Sequence, residues 1–181
     1  MRTKRHLPEI DLLLRIVDEA YGRKAWHGPN LRGAIRGIDL QRASWRPAAG
    51  RHNLWEIVVH AAYWKYIVRR RLLGEKKGSF PLKGSNWFVR PAAMTSEAWR
   101  SDVALLEDVH RTMRAAIAGL EPERLGETPP GSTLSHASII TGIAMHDVYH
   151  AGQIQLLKRL HATRRGMAAP AVAGDRGRQA R

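Results

Sequence analysis

The sequence predicts an all-α protein: a four-helix bundle with long connections and a disordered basic C-terminal tail. Three observations carry this expectation. Four stretches, starting near Pro8, Asn53, Ser96 and Leu134, repeat apolar residues at steps of three and four. No stretch shows the sustained alternation of a half-buried strand. The segments between the long stretches, and everything after His161, are rich in Gly, Pro, Ala and Arg. The expected division is a bundle domain over residues 1–161 and a disordered tail over 162–181.

Taken in order, the first helix is expected from Pro8 to Tyr21, with Leu12, Leu13, Ile16, Val17 and Ala20 at helical spacing. Pro8 suits a first turn, where its missing N–H costs nothing, and Gly22 stops the helix. Ala25 to Asn30 reads as a turn, and Asn30 can cap a short helix from Leu31 to Ile38. The second long helix, Asn53 to Leu73, is capped by His52 or Asn53. It carries a stripe through Leu54, Ile57, Val58, Ala61, Trp64, Ile67, Val68 and Leu72. Arg69 to Arg71 load its C-terminal end with the charge a helix dipole favours there. Gly74 to Met94 is a long connection whose aromatics Phe80, Trp87 and Phe88 imply that part of it packs down. Thr95 or Ser96 caps the third long helix, which buries Val103, Leu106, Val109, His110, Met113 and Ile117 and ends at Gly119. After a proline-containing loop, Ser132 or Thr133 starts the last helix, expected from about Leu134 to Leu160.

Composition excludes several classes of protein. The 181 residues suffice for one domain with a real core. No run reaches the roughly 18 apolar residues of a membrane span. The amphipathic N-terminus is broken by Glu9, Asp11, Arg15, Asp18 and Glu19, unlike a signal peptide. With no cysteine, the chain has no disulfide, no thiolate nucleophile of its own and no Cys-ligated zinc. That composition fits a cytoplasmic location. The formal charge of +14 would attract polyanions, and Arg164, Arg165, Arg176, Arg178 and Arg181 face Asp175 alone in the tail. No nucleic-acid motif accompanies the charge, so a solvated arginine-rich surface is the favoured reading.

The chemistry concentrates in His146-Asp-Val-Tyr-His150-Ala-Gly-Gln153-Ile. Two histidines four apart lie on one helix face, one turn above the other. That face continues through Ile139, Ile143, Gln153, Leu157 and Leu160, so both imidazoles are expected to point at the core. Two such imidazoles can share one divalent ion if a third ligand comes from another helix. Among nine histidines the candidates are His60, His52, His110 and His136. His60 fits best, deep in a long helix and beside its apolar stripe. His52 sits at a helix start and serves equally as a cap. His110 suits a core histidine, and His136 lies nearly three turns before His146. Asp147, Gln153 or Glu56 could orient an imidazole or a bound water. The competing explanation is that these histidines are hydrogen-bonded core residues.

On three stretches the chain resembles the DinB-like (YfiT-like) family of metal-dependent enzymes. His146 to Ile154 is similar to the family's histidine-bearing last helix. His52-Asn-Leu-Trp-Glu-Ile-Val-Val-His60-Ala-Ala-Tyr-Trp64 resembles its second helix, and Trp26-His-Gly-Pro29 its opening turn. The resemblance covers roughly residues 8 to 161. It implies a four-helix bundle with a histidine-triad metal site made by His60, His146 and His150, holding zinc or nickel. It also implies a homodimer and, from characterised relatives, use of a low-molecular-weight thiol against an electrophilic small-molecule substrate. The expected function is a metal-dependent S-transferase working through a bound thiolate, or a hydrolase working through a bound water. The alternative is a non-catalytic helical bundle that binds a ligand, or nucleic acid through the basic tail.

Overall fold

The computed structural model describes residues 8–90 and 94–167. Over these residues the chain is helical, with no strand. The helices are α1 (Pro8–Tyr21), α2 (Leu31–Ile35), α3 (Leu40–Ser44), α4 (Leu54–Leu73), α5 (Ser96–Ala118) and α6 (His136–Met167), with a 3-10 turn at Pro122–Gly126. The four long helices form the bundle: α4 packs chiefly against α5 and α6, and α1 against α6 and α5. The short α2 closes onto α6.

Local chemistry accounts for the helix ends. The Asn30 side chain accepts from Gly33 N–H at 2.8 Å and starts α2. Asn53 accepts from Glu56 N–H while Glu56 returns to the Asn53 N–H, a complete capping box on α4. Asn53 is therefore the cap, and His52 is not. Thr95 caps α5 through Ala98 N–H at 3.1 Å. Gly74 ends α4 in the left-handed region at φ 68°, where a Cβ would be strained.

Several expected boundaries shift. The short second helix ends at Ile35 and not Ile38, because Gly37 turns the chain at φ 70°. Asp39 then caps a further short helix, α3, by accepting from Arg42 N–H at 2.8 Å. The last helix starts at His136, with Ser135 Oγ accepting from Ser138 N–H, whereas Ser132 folds onto Leu134 before it. It continues past Leu160 to Met167. Residues 168–181, most of the expected disordered basic tail, lie outside the described residues. The α1 stripe is rotated: Ile10, Leu13, Leu14, Val17 and Ala20 are buried, while Leu12 and Ile16 face outward. Leu160, placed on the buried face of the last helix, is exposed as well. The 74–94 connection does pack down. Phe80 and Phe88 lie edge-on to Tyr63 or tilted against Tyr66, and the Tyr66 hydroxyl accepts from Gly78 and Ser79 N–H at 3.2 Å each.

The core is divided. One apolar cluster joins α2, α3, most of α4, the first half of α5 and the end of α6, centred on Trp55, Leu106 and Ile154. The other joins α1, the end of α4, the second half of α5 and the start of α6, centred on Val17, Met113 and Ile140. Where the two meet, each long helix places a polar residue indoors: Tyr21, Lys65, His110 and Asp147, all buried. Tyr21 stacks on His110 with ring centroids 3.6 Å apart. The Lys65 ammonium lies 4.9 Å from the centre of the Tyr21 ring and is ion-paired with Asp147. Burial pulls the lysine down and pushes the aspartate up, and the charge of each partner opposes the shift of the other.

His110 gives this layer a pH signature. Burial, then the positive charges of Lys65, Arg114 and Arg32, push its imidazole down to about 2. The folded protein thus refuses a proton that the unfolded chain accepts near pH 6.5. The contribution is fully present above that value and falls as the solution is acidified. Between pH 7.5 and pH 5 this one group should cost roughly 2 kcal/mol. Urea unfolding at both pH values checks it: His110→Phe, which keeps the stack on Tyr21, should lose about that much less than the wild type.

Candidate metal centre

Three imidazoles from two helices converge. His60 comes from α4, His146 and His150 from successive turns of α6. His60 Nε2 lies 3.1 Å from His146 Nε2, which lies 3.0 Å from His150 Nε2. All three donor atoms fall within 4.8 Å of one another. Ligands about 2.0–2.1 Å from a tetrahedral zinc ion would lie roughly 3.3 Å apart, so the spacing suits one shared ion.

The outer nitrogens fix which atoms face inward. His60 Nδ1–H donates to the Asn86 carbonyl at 2.9 Å. His150 Nδ1–H donates to Gln153 Oε1 at 2.7 Å. Each ring then presents a bare Nε2 lone pair to the centre. His146 can donate to only one of these two, and its buried Nδ1 has no partner. Facing lone pairs repel unless a cation sits among them, so the donor set fits a divalent metal. Burial, followed by the neighbouring imidazoles and Lys65, pushes His146 down to about 3. Burial likewise lowers His60, and takes His150 to about 4 against the opposing bond to Gln153. The rings are therefore neutral, as ligation requires.

The 74–94 connection holds the third ring in place. Asn86 is the described non-glycine residue with positive φ, at 62°. That conformation aims its carbonyl at His60 while its side-chain oxygen accepts from Trp64 Nε1–H at 3.0 Å. The next residue, Trp87, is sandwiched between His60 (centroids 3.9 Å, 11°) and His52 (3.7 Å, 6°). Asn86→Gly keeps the backbone shape and should bind metal almost normally. Asn86→Val disfavours left-handed backbone, swings the carbonyl off His60, and should weaken metal affinity roughly 10- to 100-fold. Competition with a chromogenic chelator measures both.

Gln153, one of the residues expected to orient an imidazole, accepts from the His150 ring and donates to the Tyr149 hydroxyl at 2.9 Å. The other two, Asp147 and Glu56, have their partners elsewhere. Asp147 neighbours His146 in sequence, but adjacent helical residues point about 100° apart, and its carboxylate pairs with Lys65. Glu56 serves the start of α4, bonding Arg46 and His52 as well as closing the capping box. Burial raises its carboxyl, but the bonds from Arg46 and His52 outweigh this and hold it below the usual range. His52 supports the centre only through Trp87. His110 lies in the polar layer, and His136 Nδ1–H donates to the Arg124 carbonyl at 2.7 Å. Phe88 belongs to the core, and Arg90 pairs with Asp102 at 2.7 Å. A recess of about 700 Å3 is lined by Tyr21, His110 and four arginines and by none of the three imidazoles. His146 is partly exposed and Tyr149 largely so, which leaves the centre within reach of a small molecule.

The sequence model of the DinB superfamily matches residues 25–154, a span that includes all three histidines. The chain belongs to that superfamily. No curated protein and no solved structure matches it.

Proposed function

From its place in the DinB superfamily and from the three imidazoles that converge in its bundle, we propose that this protein is a metal-dependent enzyme. Its ligands are His60, His146 and His150, and its ion is zinc or nickel. The observation that carries this reading is the pair of outward hydrogen bonds, from His60 to Asn86 and from His150 to Gln153, which turns bare nitrogens inward. Three neutral nitrogens leave a coordination position free, the arrangement of catalytic rather than structural sites. A divalent ion held by these three residues would supply Lewis acidity, enough for a thiol or a water to lose its proton near neutral pH.

The chain's own residues set the surroundings. Asn86 and Gln153 hold two rings in the ligating tautomer, and Trp87 braces His60 from behind. Tyr149, exposed and bonded to Gln153, offers a hydroxyl beside the open face. With no cysteine in the chain, the thiol is a separate small molecule, transferred to an electrophilic substrate. A hydrolytic reaction at the same centre is the variant reading. Met145, Tyr149, Leu156 and Leu160 are exposed along one flank of α6, which supports a homodimer. Among the described residues no helix is long and apolar enough to cross a membrane.

The reading is tested with cobalt-loaded protein and a panel of small thiols, epoxides, activated alkenes and esters. A sulfur-to-cobalt charge-transfer absorption on adding thiol, with thiol consumed faster than by metal-free protein, is the expected result. Ester cleavage without that absorption would favour the hydrolase. Neither response with any member of the panel would count against an enzyme.

A further inference from the structure

The polar layer between the two apolar clusters has no part in ligation, yet it is buried at every point. Lys65 and Asp147 are 0% and 1% exposed. A buried ion pair is a poor source of stability, because both charges give up water to make it. Here the layer is also incompletely hydrogen-bonded: Asp147 Oδ1 and His110 Nδ1 are buried without partners. Apolar side chains of similar size would serve the fold as well or better. What a directional pair gives and apolar packing does not is register.

The pair is placed where register matters. Lys65 follows His60 by five residues on α4, about 7.5 Å along the axis and roughly 140° around it. Asp147 follows His146 by one residue on α6, about 100° around it. The same two helices are thus joined twice, by His60–His146 and by Lys65–Asp147, on different sides of each and at points about 7.5 Å apart along α4 but only about 1.5 Å apart along α6. One contact would let a helix pivot; two fix both slide and rotation. Metal–ligand distances tolerate only about 0.2 Å, whereas a one-residue slip moves a helix about 1.5 Å. On the far side, the Tyr21 ring against Lys65 and the Tyr21–His110 stack tie the lysine to α1 and α5.

We infer that the layer is a register lock: Lys65 and Asp147, braced by Tyr21 and His110, hold α4 and α6 at the offset where His60 meets His146 and His150. The inference rests on the metal reading, and makes Lys65 and Asp147 positioning residues for that centre. The test compares full-length wild type, Lys65→Met/Asp147→Leu and Asp147→Asn. Each is stripped of metal, melted to compare stability, and titrated with cobalt while its ligand-field absorption is recorded. The double variant should melt no lower than wild type, bind cobalt at least tenfold more weakly and show an altered absorption band. Asp147→Asn keeps a hydrogen-bonding partner for Lys65 and should bind within about threefold of wild type. A double variant with wild-type affinity and spectrum would overturn the lock. So would one that fails to fold, since the pair would then be holding the structure and not the site. Loss of affinity in Asp147→Asn equal to that in the double variant would also overturn it, by tying the effect to charge and not to register. Wild type that takes up no cobalt would instead overturn the metal reading, and the lock with it.

Discussion

His146→Ala is expected to abolish metal retention while leaving the bundle folded. His146 Nε2 sits between the other two donors, 3.1 Å and 3.0 Å away, so no rearrangement of His60 and His150 alone rebuilds a three-nitrogen face. Structural zinc sites bind with about 10–16 kcal/mol in total, so each ligand of a four-coordinate ion carries roughly 3–4 kcal/mol. Losing one should weaken binding on the order of 100- to 1000-fold. Folding is less exposed to the change. The histidine is only partly buried, its Nδ1 has no partner, and the apolar clusters on either side do not include it. Circular dichroism of the variant should match wild type, while dialysis should empty it. A variant that keeps stoichiometric metal would show that the ligand set is different.

Lys65→Met alone should be among the most destabilising single changes in the bundle. It keeps the volume of the lysine stem but leaves the Asp147 carboxylate buried with no counter-charge. Removing one member of a buried pair typically costs about 3–5 kcal/mol. The lower end applies if Asp147 takes up a proton, a change that its burial already favours. Adding Asp147→Leu should recover the loss in full, giving a coupling that a double-mutant cycle in urea measures directly on metal-free protein. Additive losses in the cycle would mean that the two side chains do not act as a pair.

The long helices were legible because their evidence is local. Apolar steps of three and four, with cap candidates at Asn53 and Thr95 and stops at Gly22 and Gly119, need nothing beyond a few neighbouring residues. The His146/His150 pair was legible for the same reason, and the placement of His60 drew on its position deep in an apolar stretch and on family resemblance. What the sequence could not carry was pairing across helices. Lys65 in α4 looks like any solvent-facing lysine until Asp147, 82 positions later, is brought against it. Asp147 looked like a partner for His146 because it is the next residue, but a helix turns neighbours apart. Asn86 and Trp87 lay in a connection with no periodic signal, and only the folded loop shows a left-handed asparagine aiming its carbonyl at His60. Even α3 was missed for a physical reason: five residues are too few for a period to register, and its Asp39 cap was the one available sign.

Everything proposed for this centre requires that the three histidines hold a metal ion. Elemental analysis of untagged wild-type protein, purified without chelator and set beside His60→Ala, tests it most directly. About one zinc or nickel ion per chain is expected in the wild type and almost none in the variant. Wild-type protein without metal, even after incubation with zinc and nickel, would contradict it and leave a bundle whose histidines are core residues.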